Sequence, residues 1–136
     1  MPRVIHFEIT ADNPQRAVDF YTRTFGWTAE KWPGPMEYWL VKTGPAETPG
    51  IDGGIVRRTG PAGHINTIDV PSVDEFTEAI IANGGAVAVP KMSIPGVGYV
   101  AYFQDTEGSV FSVLQADPNA VLNAANPRSK EKCQNR

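Results

Sequence analysis

One order of predicted elements occurs twice along the chain: a strand, a helix and then three short strands. In residues 4–10, apolar and polar side chains alternate with the period of two that a half-buried strand requires. A helix over residues 14–25 follows, and residues 65–70 and 73–82 repeat this strand and helix. Few residues are identical between the copies, so it is the order of elements that repeats. Such a duplication predicts two similar curved sheets related by a pseudo-twofold axis.

Both predicted helices begin with capping residues. Asn13 or Asp12 can accept hydrogen bonds from free backbone N–H groups, and Pro14 suits the first position of a helix. Ser72, with Glu75 three residues later, forms the capping-box pattern at the start of the second helix. The remaining strands are predicted over residues 27–32, 36–43, 51–58, 86–90, 98–104 and 109–115.

These elements predict an α+β protein built from two βαβββ modules in tandem. The first module takes residues 1–58 and the second residues 59–115, and a C-terminal tail, residues 116–136, shows little periodicity. We expect one compact domain overall, because 136 residues suit a single core or two half-domains that share one. In the fourth strand, Gly53 and Gly54 indicate either a bulge or a place where a ligand meets bare backbone.

Composition and charge argue against several classes of partner. The net charge is −3, with 12 basic and 15 acidic residues scattered along the chain, so no basic surface for nucleic acid is expected. No apolar run approaches the ~18 residues that a membrane-spanning helix needs, and the start lacks the apolar core of a signal peptide. The single cysteine, Cys133, cannot form an internal disulfide or a cysteine metal cluster. We therefore expect a cytoplasmic protein that binds neither nucleic acid nor membrane.

The polar face of the first strand carries the candidate catalytic pair, His6 and Glu8. Alternation places both on the side opposite Ile5, Phe7 and Ile9, the apolar face that a helix should cover. If the helices cover one face of each sheet, the other faces enclose a cleft. In such a cleft a neighbouring carboxylate favours the charged imidazole, and the two groups could serve as acid and base. Outside a cleft, His6 would be an ordinary hydrogen-bonded histidine. Glu8 would be a solvated carboxylate or would pair with Arg3 or Arg57.

Aromatic and small polar side chains supply candidate ligand-binding groups. Tyr38 and Trp39 point to opposite faces of their strand, so one of them should line the cleft, and we predict Trp39 for this role. An aromatic-lined cleft with a few polar groups is an ordinary design for a small organic ligand. The predicted binding residues are Trp39, Thr67, Asp69, Tyr99 and Ser112.

Several short motifs occur in the order found in one superfamily of proteins. They are His6 with Phe20-Tyr21 and Phe25-Gly26, Val70 to Asp74, residues 90–99, and Asp105 to Phe111. Over about residues 3–115 the chain resembles the vicinal-oxygen-chelate superfamily, which includes glyoxalase I, extradiol dioxygenases, and bleomycin- and fosfomycin-resistance proteins. The sequence of residues 90–99 is similar to the corresponding segment in a glyoxalase-like subgroup of this superfamily. The resemblance implies paired βαβββ modules and a homodimer.

The resemblance also implies where a divalent metal would bind, with one ligand from the first strand and one from the last strand of each module. His6 matches the first position. In the second module that position falls at Ile65 and not at His64, and a slip of one residue turns a side chain to the other face. In the last strand of the second module the ligand position falls at Ser112. In the last strand of the first module, residues 53–56 offer no carboxylate, and Asp52 lies just before them. Because a stable site needs several converging ligands, we predict that the usual metal site is lost.

Three functions are compatible with these features, and we favour the first. It is a protein that binds a small organic molecule in the cleft without the usual metal, and it could be a divergent enzyme. The second is a divalent-metal-dependent lyase or dioxygenase of glyoxalase type, in which His6 acts with ligands such as His64, shifted by a bulge, or Glu107. The third is a drug-sequestering resistance protein that binds without reaction.

Overall fold

The computed structural model describes residues 2–34, 36–61 and 63–121. The chain forms two compact units, of which one is Val4–Asn66 and the other contains residues 2–3 and the described residues from Thr67 onward. The predicted α+β class and the two βαβββ modules are confirmed. The observed elements are β1 (Arg3–Ala11), α1 (Pro14–Phe25), β2 (Thr28–Lys31), β3 (Tyr38–Lys42), β4 (Asp52–Arg57), β5 (His64–Asp69), α2 (Val73–Ala82), β6 (Ala86–Ile94), β7 (Gly98–Gln104) and β8 (Val110–Ala116).

The strands of the first unit have the order β2-β3-β4-β1. β1 and β4 run parallel, whereas β4 with β3 and β3 with β2 are antiparallel. One face carries Ile9, Val41 and Ile55, which pack with Val18 of α1 in a single apolar core. The residues of the opposite face, called the His6 face below, are His6, Glu8, Thr10, Thr28, Glu30, Tyr38, Leu40, Lys42, Asp52, Gly54 and Val56.

The strands of the second unit have the order β5-β8-β7-β6. β5 and β8 run parallel, and the remaining pairs are antiparallel. Val70, Ala101, Phe103 and Val113 form its core with Val73, the first residue of α2. Both units therefore bury one sheet face against one helix, as the alternation of apolar residues predicts.

Strand β6 is longer than the sequence predicts. It continues past Pro90 to Ile94, and its register with β7 shifts between Val87 and Val89 and again between Val89 and Met92. Pro90 lies within the second shift, where its missing N–H removes no regular ladder hydrogen bond. The sequence predicts that the strand ends at Pro90, but in the structure Pro90 lies at a register shift inside the strand.

The first residues of the predicted tail, 116–136, belong to ordered structure. Strand β8 ends at Ala116, and the carbonyl of Ala120 accepts a hydrogen bond of 2.9 Å from the backbone N–H of Gly96. Ala120 is also buried. The rest of the tail, residues 122–136 with Cys133, lies outside the described residues.

The helix caps follow the sequence signals. Oδ1 of Asn13 accepts a hydrogen bond from the backbone N–H of Arg16, and Oγ of Ser72 accepts one from the backbone N–H of Glu75. Helix α1 ends at Phe25, and the next residue, Gly26, has a φ of 74°, the left-handed conformation that glycine adopts without strain. Among the described residues, no helix is long and apolar enough to cross a membrane.

Gly53 and Gly54 lie in a regular part of β4, so of the two alternatives for these glycines the bulge is wrong. The register between β1 and β4 is continuous from His6 opposite Asp52 to Ala11 opposite Arg57. A Cβ atom at Gly53 would overlap the ring and the backbone carbonyl of Phe7, and one at Gly54 would overlap the ring of Tyr38. The bare backbone of the two glycines therefore accommodates aromatic side chains of the same unit, one on each face.

We expect Gly53→Ala and Gly54→Ala to differ in their effect on stability. The alanine at 53 meets backbone atoms that cannot move aside, so the free energy of unfolding should fall by about 1–3 kcal/mol. The alanine at 54 meets the end of a side chain that can rotate away, so the loss should be smaller. Urea denaturation of both variants measures the difference, and an equal or larger loss at position 54 would contradict this account.

Candidate functional site

Three side chains on the His6 face form a continuous hydrogen-bonded group, called here the His6–Tyr38–Glu8 relay. Nε2 of His6 lies 2.9 Å from the hydroxyl oxygen of Tyr38. The same hydroxyl donates a hydrogen bond of 3.1 Å to Oε2 of Glu8. All three side chains are half-buried. The two residues predicted as an acid–base pair thus belong to one group, and a tyrosine connects them.

The sheet geometry explains why Tyr38 can reach both partners. His6 and Glu8 lie two residues apart on β1 and point to the same face, while β4 separates β1 from β3 and Tyr38. Gly54, the residue of β4 opposite Glu8, has no side chain, so the tyrosine ring extends across it. Any larger residue at this position would occupy the space of the ring.

Burial determines the charge of His6. Desolvation lowers the pKa of the imidazole below its ordinary value of 6.5, and the nearby carboxylates of Glu8 and Asp52 act in the opposite direction with smaller effect. The neighbouring carboxylate therefore does not produce the charged imidazole that the sequence suggests. His6 is neutral at pH 7.

Trp39 lies on the face opposite the relay. It packs against the core cluster that includes Ile9, Val18 and Ile55, and Nζ of Lys31 lies 6.0 Å from the centre of its ring. Its indole Nε1 is buried and has no hydrogen-bond partner among the described residues. Of the two neighbouring aromatic residues, the structure therefore places Tyr38, and not the predicted Trp39, beside His6 and Glu8.

The predicted polar residues of the second unit bind each other. Oγ of Ser112 donates a hydrogen bond of 2.8 Å to Oγ1 of Thr67, and both residues are buried, Ser112 to 0% exposure. Their β-strands pair with Thr67 directly opposite Ser112. The pair is satisfied inside the unit, since each hydroxyl has a partner.

Asp69 and Tyr99 lie at separate places in the second unit. Asp69 borders a shallow depression of about 310 Å³ together with Pro71 and Gln115. Tyr99 packs against the apolar core of this unit, with Nζ of Lys91 5.2 Å from the centre of its ring. The structure therefore places Tyr99 on the core side of its sheet, away from the face of Thr67 and Ser112.

The alternative metal ligands do not converge within their units. His64 is exposed at the start of β5, and Glu107 is exposed in the turn between β7 and β8, where its backbone N–H donates to Asp105. Oδ1 of Asp52 accepts a hydrogen bond of 2.9 Å from the backbone N–H of Thr43. Within residues 2–34, 36–61 and 63–121, no group of three or more His, Cys, Asp or Glu side chains could hold a metal ion.

The residues at the implied metal positions also have other partners. The Nε2 atom of His6 and Oε2 of Glu8 both bind the Tyr38 hydroxyl, and Ser112 binds Thr67. A divalent ion requires several His or carboxylate ligands directed at one point. The side chains present on the described part of the chain do not fit that requirement.

A depression that the sequence did not predict lies beside the start of α1. It has a volume of about 450 Å³, and its lining includes Asp12, Arg16, Phe20, Arg58 and His64. The guanidinium of Arg58 already donates hydrogen bonds to the Thr10 carbonyl and to Asp12, so the Asp12 carboxylate offsets its positive charge. None of the residues of the relay borders this depression.

Comparisons with known proteins agree with this fold. The chain is 30% identical over 116 residues to the protein named "Putative glyoxylase CFP32" of Mycobacterium bovis and of Mycobacterium tuberculosis. The match covers 82% of this chain but only 43% of those proteins, so the chain spans less than half the length of these relatives.

Solved structures show the same architecture at low sequence identity. A methylmalonyl-CoA epimerase variant from Streptomyces coelicolor, in complex with 2-nitronate-propionyl-CoA, superposes with a TM-score of 0.62 at 14% identity, covering 88% of this chain and 97% of that one. The hypothetical protein BH1468 of Bacillus halodurans gives the same TM-score and identity, with coverage of 88% and 98%. At this identity the similarity shows the fold alone.

A family model extends over most of the chain. The model described as Glyoxalase/Bleomycin resistance protein/Dioxygenase superfamily matches residues 3–113, from the start of β1 into β8. This agrees with the element order and with the solved structures. The chain belongs to the glyoxalase/bleomycin resistance protein/dioxygenase superfamily.

Proposed function

We propose that this protein binds a small organic molecule at the His6 face of its first unit, and that it does so without the divalent ion usual in its superfamily. The observation that carries the proposal is the Tyr38 hydroxyl between His6 and Glu8. These two side chains would otherwise offer a nitrogen and a carboxylate to an ion. Bound to Tyr38, they form a polar centre that is already satisfied by hydrogen bonds.

Apolar surface next to the relay supports binding of an organic molecule. Leu40 lies on the same face and is 42% exposed, and Val56 on the neighbouring strand is half-buried. Small-molecule sites combine mostly apolar walls with a few polar groups that fix orientation. The relay would supply the polar groups and these side chains the apolar surface.

The relay also has the parts of an acid–base catalyst. The neutral imidazole of His6 can accept a proton from a bound molecule, and the chain of hydrogen bonds through Tyr38 would spread the resulting charge toward the Glu8 carboxylate. A divergent enzyme of this superfamily could use such a group. The name of the mycobacterial relatives is compatible with this role, although this chain spans only 43% of their length.

The metal content of the purified protein tests the proposal. Protein prepared without chelators or an affinity tag should contain far less than one equivalent of any divalent metal, measured by plasma mass spectrometry, and should not acquire one equivalent after incubation with Zn²⁺. A His6→Leu variant should give the same values. Near one equivalent in the native protein, lost in the variant, would contradict the proposal and favour the metal-dependent lyase or dioxygenase.

A second prediction concerns stability in mild acid. Because burial lowers the pKa of His6 below 6.5, the unfolded chain binds a proton at this residue in a pH range where the folded chain does not. The free energy of unfolding should therefore fall as the pH decreases from about 7 through 6.5 and below. His6→Leu should show a shallower decrease than the native protein.

Urea denaturation at a series of pH values measures this slope. His64→Leu is the matched control, since it removes the other histidine from an exposed position. An unchanged slope in His6→Leu would show that burial of His6 does not favour the neutral imidazole.

A further inference from the structure

The hydrogen bonds of the relay have a fixed direction. The Glu8 carboxylate can only accept, so the Tyr38 hydroxyl donates its proton to Oε2. The hydroxyl carries one proton, so at its contact with His6 the tyrosine oxygen must accept, and Nε2 of His6 must carry a hydrogen. A proton on Nδ1 instead would leave two acceptors facing each other at 2.9 Å. The geometry therefore selects the imidazole tautomer protonated at Nε2.

This tautomer makes Nδ1 of His6 a hydrogen-bond acceptor. Among the described residues, no group donates a hydrogen bond to it, because the only hydrogen bond of the His6 ring is the one to Tyr38. Because the His6 ring is half-buried, a ligand that donates a hydrogen bond to Nδ1 should bind more tightly than one that does not. A ligand group that can only accept, such as a carboxylate, would face the lone pair of Nδ1.

The charges of the His6 face also favour a hydrogen-bond donor over an anionic ligand. Glu8 and Asp52 both act on His6, and Asp52 lies directly opposite it on β4. Glu30 adds a third carboxylate on β2. The cations at this face of the described sheet include Lys42 on β3 and Arg58, which donates a hydrogen bond to the Thr10 hydroxyl and is itself paired with Asp12. An anionic ligand would be repelled by this set of charges, and a cationic one attracted.

We propose that the His6 face selects a ligand that donates a hydrogen bond to Nδ1 of His6, a protonated amine or a hydroxyl carried on an apolar ring, in preference to a carboxylate. This inference rests on the proposed function and specifies the chemical class of its ligand. Leu40 and Val56 supply apolar surface for the ring. Tyr38 acts as a positioning residue, since it orients His6 through the tautomer.

Two probes of the same shape and opposite polarity test the inference. Benzylammonium and benzoate are titrated into full-length protein while NMR records the ¹⁵N resonances of the His6 ring. Before any probe is added, Nε2 should be the protonated nitrogen. Benzylammonium should then bind about tenfold more tightly than benzoate, which corresponds to one hydrogen bond gained against one unpaired acceptor, and should shift Nδ1 of His6.

Two variants identify the cause of the preference. Tyr38→Phe keeps the aromatic ring over Gly54 but removes the hydroxyl, so the His6 ring loses its tautomer preference and the tenfold difference shrinks. His6→Leu removes the acceptor itself, so the difference should shrink to the part that the carboxylates of the His6 face contribute, and no larger difference should remain than in Tyr38→Phe. His64→Leu should bind both probes as the native protein does.

The outcomes separate the inference from the proposed function. A hydrogen on Nδ1 in the free protein, or tighter binding of benzoate at the His6 face, would overturn the inference while leaving small-molecule binding intact. If neither probe at millimolar concentration changes any resonance of β1, β3 or β4, both the inference and the proposed function are contradicted.

Discussion

The close approach of Tyr38 to the backbone of Gly54 is the contact on which the site depends. The ring crosses β4 only because that residue has no side chain, and in crossing it brings one hydroxyl within hydrogen-bonding distance of two residues on β1. The Tyr38 hydroxyl holds His6 in one tautomer, and His6 is half-buried. Its lowered pKa follows from that burial, so the charge and the hydrogen-bonding of the site both originate in the packing of three strands.

Membership of the superfamily fixes the scaffold but not the chemistry of this chain. One fold hosts many functions, because side chains on the same strands can be exchanged while the sheet remains. Here His6 retains the position implied for a metal ligand, yet its partner is a tyrosine hydroxyl. At the corresponding position of the last strand, Ser112 is paired with Thr67. Each of these two residues has a hydrogen-bond partner within its own unit, which is why we propose binding of an organic molecule.

Local patterns in the sequence predicted the helices, their caps and the shared face of His6 and Glu8, because each depends on residues close together in the chain. The choice between Tyr38 and Trp39 was not predictable in this way. Which of the two points toward His6 depends on the register of β3 against β4, and that register joins residues distant in sequence. Gly54 is the one residue that hints at the position of Tyr38, because a glycine in a strand indicates that another group approaches the backbone closely. It does not identify that group.

The central claim is that Tyr38 and His6 interact directly, and a double-mutant cycle measures that interaction. The free energies of unfolding of the native protein, His6→Leu, Tyr38→Phe and the double variant are determined by urea denaturation at pH 7.5. A hydrogen bond between the two side chains predicts a coupling energy of about 1 kcal/mol, with the double variant less destabilised than the sum of the single variants. Strict additivity of the two substitutions would show that the relay does not exist in solution.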